Sequence, residues 1–227
     1  MSNLKSTSLL IAIFIMPFCA VSNNNTIVNY SIEEVANGTI YVILQKSNRY
    51  TFDSARYTIF IPANTPELQS VFVHQHGCTM EGRGSATAYD VQYQAFAKKW
   101  KLAVVGADLY SAKGNCHDWR NAESGSGESL IKSLQEIGTQ SGHPELATLP
   151  WLLWGHSGGG YWALSMLRMY PERILGIFGY SPAFEPGAYP KAALKVPVMM
   201  RHAGPVGDAF CWQTSIKEFH KLRSAGG

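Results

Sequence analysis

Pro150-Trp151-Leu152-Leu153-Trp154-Gly155-His156-Ser157-Gly158-Gly159 is the stretch on which the reading of this chain turns. Its apolar first half reads as a buried strand. The residues from Tyr161 to Tyr170 are apolar on nearly all sides and stop at Pro171, as a buried helix would. Between them Gly155-His156-Ser157-Gly158-Gly159 matches the pattern G-x-S-x-G, in the strand-to-helix setting that the pattern requires. A strand that turns at once into a helix forces the serine into a strained backbone conformation. Only very small neighbours at Gly155 and Gly159 let the two elements approach that closely. The turn lifts the hydroxyl clear of the sheet and aims the helix N-terminus at whatever reacts there. Ser157 is therefore the candidate nucleophile.

Working outward, short apolar runs alternate with helical patterns. The spacing predicts strands over Thr39–Gln45, Arg56–Ile61, Val71–Gln75, Leu102–Val105, Trp151–Gly155, Ile174–Tyr180 and Val196–Arg201. The first two are joined as a hairpin would be, and the later ones suit parallel strands. Tyr89, Tyr93, Phe96, Ala97 and Trp100 recur at helical spacing, as do Leu130, Leu134 and Ile137. Ser215-Ile216-Lys217-Glu218 has the spacing of a capping box and predicts the start of a last helix. A hairpin followed by strand-helix-strand units predicts an α/β three-layer sandwich, with a mostly parallel twisted sheet between helices on both faces.

A second motif sits ahead of the first. Val71-Phe72-Val73-His74-Gln75-His76-Gly77-Cys78 is an apolar strand running into a His-Gly-x loop. From about Arg56 onward the chain resembles the α/β-hydrolase superfamily. The loop at His76-Gly77-Cys78 together with Gly155–Gly159 is most similar to secreted esterases of the polyhydroxyalkanoate-depolymerase and feruloyl-esterase types. The resemblance implies carboxylic-ester hydrolysis through an acyl-enzyme, with no metal or organic cofactor. It also implies an oxyanion hole made by the main-chain N–H groups of Cys78 and Gly158, so Cys78 would act through its backbone and not as a nucleophile. His74 and His76 lie at a strand end with no clustered carboxylate or cysteine, which argues against a metal pair.

The superfamily order is nucleophile, acid, histidine. The loop after Val196–Arg201 offers Asp208 as the acid, with Glu185 as the alternative and a purely capping role for Asp208 as a further one. Asp108 and Asp118 precede the serine and read as turn or hydrogen-bonding residues. The base is expected beyond one more strand, after the final helix, and no such strand is present. The chain ends Leu222-Arg223-Ser224-Ala225-Gly226-Gly227, which reads as a helix with its C-cap, so a truncated chain lacking its catalytic histidine is expected. His220 falls mid-helix, His202 precedes the acid, His156 should point away from the catalytic side, and His117 and His143 lie in loops of no clear role. A peptidase or acyltransferase on the same scaffold, or a non-catalytic binding protein, stays open.

Length and composition bound the rest. The chain has 227 residues, 46% of them hydrophobic, with a formal net charge of +3, and no repeat or linker divides it. One globular domain over residues 23–227 is expected, without the charge that a nucleic-acid partner needs. Lys5 followed by the apolar run Leu9–Phe18, with Ala20-Val21-Ser22 behind it, predicts a signal peptide over residues 1–22. That run is too short to span a bilayer, so a secreted protein acting on a small or polymeric ester is expected, with no stable membrane span. Export permits disulfides, and removing Cys19 leaves Cys78, Cys116 and Cys211. Cys78 and Cys116 are the favoured pair, because both loops should lie on one edge of the sheet. The long segment Ser111–Gly127 should overhang the site, with Trp119 stacking on a substrate group or, by preference, covering the core.

Overall fold

The computed structural model describes residues 25–78, 82–112, 116–183 and 187–226. The expected signal peptide and the alternative acid Glu185 lie outside those residues.

The apolar runs form one sheet of eight strands: β1 (Asn25–Val35), β2 (Gly38–Ser47), β3 (Ser54–Pro62), β4 (Ser70–Gln75), β5 (Leu102–Tyr110), β6 (Trp151–His156), β7 (Ile174–Tyr180) and β8 (Val198–Arg201). Their order across the sheet is β1-β2-β3-β5-β4-β6-β7-β8. The first three and β5 pair antiparallel, and β5, β4, β6, β7 and β8 run parallel. β1 was not expected. Over residues 30–35 no side chain is fully buried, because β1 pairs with β2 alone and sits at the edge, where polar side chains are tolerated.

Among the described residues five α-helices flank the sheet: α1 (Arg83–Tyr89), α2 (Val91–Trp100), α3 (Ser126–Ser141), α4 (Gly158–Met169) and α5 (Ala209–Ser224). The stripe from Tyr89 to Trp100 is not one helix. Asp90 interrupts it in an extended conformation and caps α2, its carboxylate accepting from the Gln92 amide at 2.8 Å and the Tyr93 amide at 3.4 Å. Such a cap contributes about 1 kcal/mol. The capping-box reading at Ser215 is also overturned. α5 begins six residues earlier, at Ala209, with Asp208 as its N-cap. Ser215 is buried inside the helix and its hydroxyl donates to the Pro182 carbonyl at 3.4 Å, while Glu218 is buried instead of folding back.

The main core lies between one face of the sheet and α3 and α4. Val71, Val73, Ala103, Val105, Trp151 and Leu153 meet Leu130, Leu134, Ile137, Trp162 and Met166 there. On the other face α1 and α2 cover a smaller cluster, with Ile40, Phe60, Leu102 and Val104 packed under Ala88 and Ala97. That second layer stops near β4. Along β6, Leu152, Trp154 and His156 are only half-buried, Phe178 on β7 likewise, and Met199 on β8 is 61% exposed. A groove of about 480 Å³ runs between Phe72, Tyr93, Phe96, Trp154 and Phe178. Among the described residues the expected three-layer α/β sandwich is present, with both faces of the sheet covered at its centre and one face covered at its β7–β8 edge.

Candidate active site

The site begins with a backbone that few residues other than glycine adopt. Ser157 links β6 to α4 with φ 52° and ψ −117°. Strain of this kind costs on the order of 1–3 kcal/mol and persists only where surrounding contacts impose it. Here they do. The Ser157 amide donates to the Tyr180 carbonyl at 3.0 Å, and the Ser157 carbonyl accepts from Gly160, Tyr161 and Ala183 at 3.0, 3.2 and 3.1 Å. The flanking glycines have no room for a side chain. A Cβ on Gly155 would lie 2.3 Å from the Gly159 carbonyl oxygen, and one on Gly159 would lie 2.0 Å from that of Gln75. β4, β6 and α4 are pressed together at this corner, and Ser157 stays partly exposed.

The loop after β4 reaches the same place. A Cβ on Gly77 would stand 3.4 Å from the Ser157 Cβ. The Gly77 amide is already used, donating to Nδ1 of its neighbour His76 at 2.8 Å. Among the described residues no acceptor pairs with the Cys78 amide. The Gly158 amide opens α4 and, as a first-turn N–H, has no acceptor within the helix. The Cys78 and Gly158 amides thus belong to the two segments that meet at Ser157, and among the described residues neither has a main-chain acceptor. Cys78 is bonded to Cys116, the favoured pair, and this removes its sulfur from nucleophilic chemistry. Cys211 is buried and free. Burial and the neighbouring Asp208 push its thiol up to about 11, so it stays protonated.

Asp208 lies at the same edge of the sheet, since β8 leads into its loop and the Ser181 amide donates to the Arg201 carbonyl at 2.7 Å. It caps α5, accepting from the Cys211 amide at 3.4 Å. Its charge also acts on two histidines. Burial lowers the pKa of both His156 and His202, and Asp208 opposes that shift in each. Both ring nitrogens of His202 are buried without a hydrogen-bond partner. His156 turns to the face of α1 and α2, its ring 4.8 Å from that of His76 and 5.4 Å from that of Tyr180. His74 is a core residue, bonded to the Thr87 hydroxyl and set 4.1 Å from Trp154. Burial, with His76 and His156 nearby, lowers its pKa to about 4. His143 pairs with Glu145 at 2.9 Å, and His117 and His220 are exposed. Among the described residues no histidine is hydrogen-bonded to the Ser157 hydroxyl.

Asp108 and Asp118 serve structure. The Asp108 carboxylate accepts from the Gly84 and Ser85 amides at 3.1 and 3.2 Å and so anchors α1, and Asp118 accepts from the Ser111 hydroxyl. Trp119 is 2% exposed and belongs to the core, which settles it as a cover. Cys116 was read as a disulfide partner within the overhanging 111–127 segment, and the structure sets it against the α4 N-terminus at Gly158.

No family profile matches the sequence, and no curated protein matches it either. Solved structures do resemble it. A thermostable esterase aligns with a TM-score of 0.60 at 15% identity, over 83% of this chain and 52% of that one. A poly(3-hydroxybutyrate) depolymerase from Bordetella parapertussis aligns with a TM-score of 0.56 at 13% identity, over 83% and 78%. Poly(aspartic acid) hydrolase-1 from Sphingomonas sp. KT-1 gives 0.52 at 14% identity, over 86% and 87%. The chain thus spans about half the length of the esterase. Strand order, the sharp corner at Ser157 and these likenesses together define the α/β-hydrolase fold.

Proposed function

We propose that this chain carries the nucleophile, acid and oxyanion groups of a serine hydrolase that cleaves carboxylic esters through an acyl-enzyme. The observation that carries the reading is the strained corner at Ser157, where the loop leading to Cys78 and the first turn of α4 at Gly158 meet a partly exposed serine. Ser157 Oγ attacks the ester carbonyl while a base takes its proton. The two amides stabilise the tetrahedral oxyanion, typically by about 3–4 kcal/mol per donor. The alcohol leaves with the proton returned by the base, and water then releases the acid by the same route in reverse. Asp208 supports the imidazolium form of the base.

We assign that base to a histidine outside these 227 residues, because among the described residues no histidine is hydrogen-bonded to the Ser157 hydroxyl. A second assignment has one observation behind it: His202 lies within the field of Asp208 and has both nitrogens unpaired. The apolar run Leu9–Phe18 supports export of the protein, and the disulfide agrees with an oxidising compartment.

The test is hydrolysis of p-nitrophenyl esters and peptide anilides by protein expressed from its complete reading frame. Esters should be cleaved in preference to anilides, and Ser157→Ala should lower kcat by at least about 1,000-fold. Preference for anilides would make it a peptidase, and a folded protein that cleaves neither would make it a binding protein. Full activity in His202→Ala would leave the base outside this chain, whereas loss with a preserved fold would move it to His202.

A further inference from the structure

We propose that Cys116 is a positioning residue for the oxyanion hole, and that its disulfide to Cys78 clamps the Cys78 amide against the first turn of α4. The inference rests on the hydrolase reading above and concerns how that site is held.

The loop 76–78 leaves the end of β4 and is held at its near end, at residues 76 and 77. Gln75 Nε2 donates to the His76 carbonyl at 3.3 Å and the Gly77 amide donates to the neighbouring His76 Nδ1 at 2.8 Å, and neither bond reaches residue 78. Cys116, in contrast, is anchored. It is 6% exposed, and its carbonyl accepts from the Trp119 and Arg120 amides at 3.2 and 2.8 Å. The buried Trp119 ring continues that anchor into the main core. The disulfide joins the two loops across 38 residues of sequence.

The sulfurs also rest on the second oxyanion donor. A Cβ placed on Gly158 would meet Cys78 Sγ at 2.7 Å, Cys116 Sγ at 3.1 Å and Cys116 Cβ at 3.5 Å. One covalent bridge thus touches Gly158 and carries Cys78, the two residues whose amides must converge on a single oxygen. Donors in such a hole need to lie about 2.7–3.1 Å from the oxyanion, and a displacement of about 1 Å costs on the order of 100-fold in rate. An amide at the end of a short loop does not hold that tolerance unaided. The bridge supplies the missing constraint, and Gly158 is glycine because the bridge occupies its side-chain space.

Cys78→Ala, Cys116→Ala and the double variant all keep the residue 78 amide and remove the bridge. Each should lower kcat for a p-nitrophenyl ester about 100-fold with KM changed little, and the double variant should lose no more than either single one. Affinity for an alkyl boronate, which adds to the serine as a tetrahedral mimic, should fall by a similar factor. Affinity for a non-reactive ketone-free product analogue should not. As a second arm, dithiothreitol reduces the wild-type bridge: one thiolate displaces a cysteine sulfur, its second thiol closes the cyclic disulfide, and both cysteines leave as thiols. Activity should drop with an unchanged near-ultraviolet circular dichroism spectrum and return on reoxidation.

Variants and reduced protein that keep wild-type kcat and boronate affinity would overturn the clamp. Unfolding on reduction would also overturn it, by making the bridge a global staple. A wild-type protein that cleaves no ester and binds no boronate would instead overturn the hydrolase reading on which the clamp stands.

Discussion

At the residue scale the site is made by what glycine lacks. Gly155 and Gly159 let β6 and α4 meet, and Gly159 in particular abuts the Gln75 carbonyl at the end of β4. Gly159→Ala drives a methyl into backbone that has nowhere to move, so it should cost about 3 kcal/mol or more in a urea titration. Gly142→Ala provides the contrast. That residue, unlike Gly159, has positive φ, at 75°, but open space around it, and the loss there should be about 1 kcal/mol, from backbone strain alone. Equal losses at the two positions would show that the corner is not compressed. Ser157 was legible in the sequence because a strand, a G-x-S-x-G turn and a buried helix occur together within residues 150–170. The packing of Cys116 on Gly158 was not, because it depends on the path of the whole 111–127 segment. Asp208 was offered by the sequence both as an acid and as a cap, and the structure shows it capping α5.

At the element scale the central strands matched their apolar runs to within a few residues, and the discrepancies share a cause. β1 went unread because an edge strand paired on one side does not need an apolar face. α5 was placed late because a favourable Ser-x-x-Glu spacing at Ser215 was outweighed by Asp208 capping and by burial of Ser215 and Glu218. Beyond β4, among the described residues, one face of the sheet is packed and the other is only partly covered. Leu153 is 2% exposed beneath α4, while Met199 stands in solvent on the opposite face. Leu153→Ala should therefore cost about 2–5 kcal/mol, from lost burial and the cavity left behind. Met199→Ser should change stability by no more than about 0.5 kcal/mol. The same urea titration compares them, and a large loss at Met199 would mean that the β7–β8 face is covered in the folded protein.

At the scale of the whole molecule, the order β3-β5-β4-β6-β7-β8 brings three separate segments to one end of the sheet: the loop after β4, the corner after β6 and the loop after β8. Parallel neighbours deliver their C-terminal ends to the same edge, which is why residues 78, 157 and 208 share it although they lie far apart in sequence. The most direct test of the account is the site of covalent modification by a fluorophosphonate. Protein expressed from its complete reading frame, labelled while folded and then digested, should carry the phosphonyl group on the peptide containing Ser157, and Ser157→Ala should carry none. A label on another residue, or a folded wild-type protein that takes up no label, would contradict it.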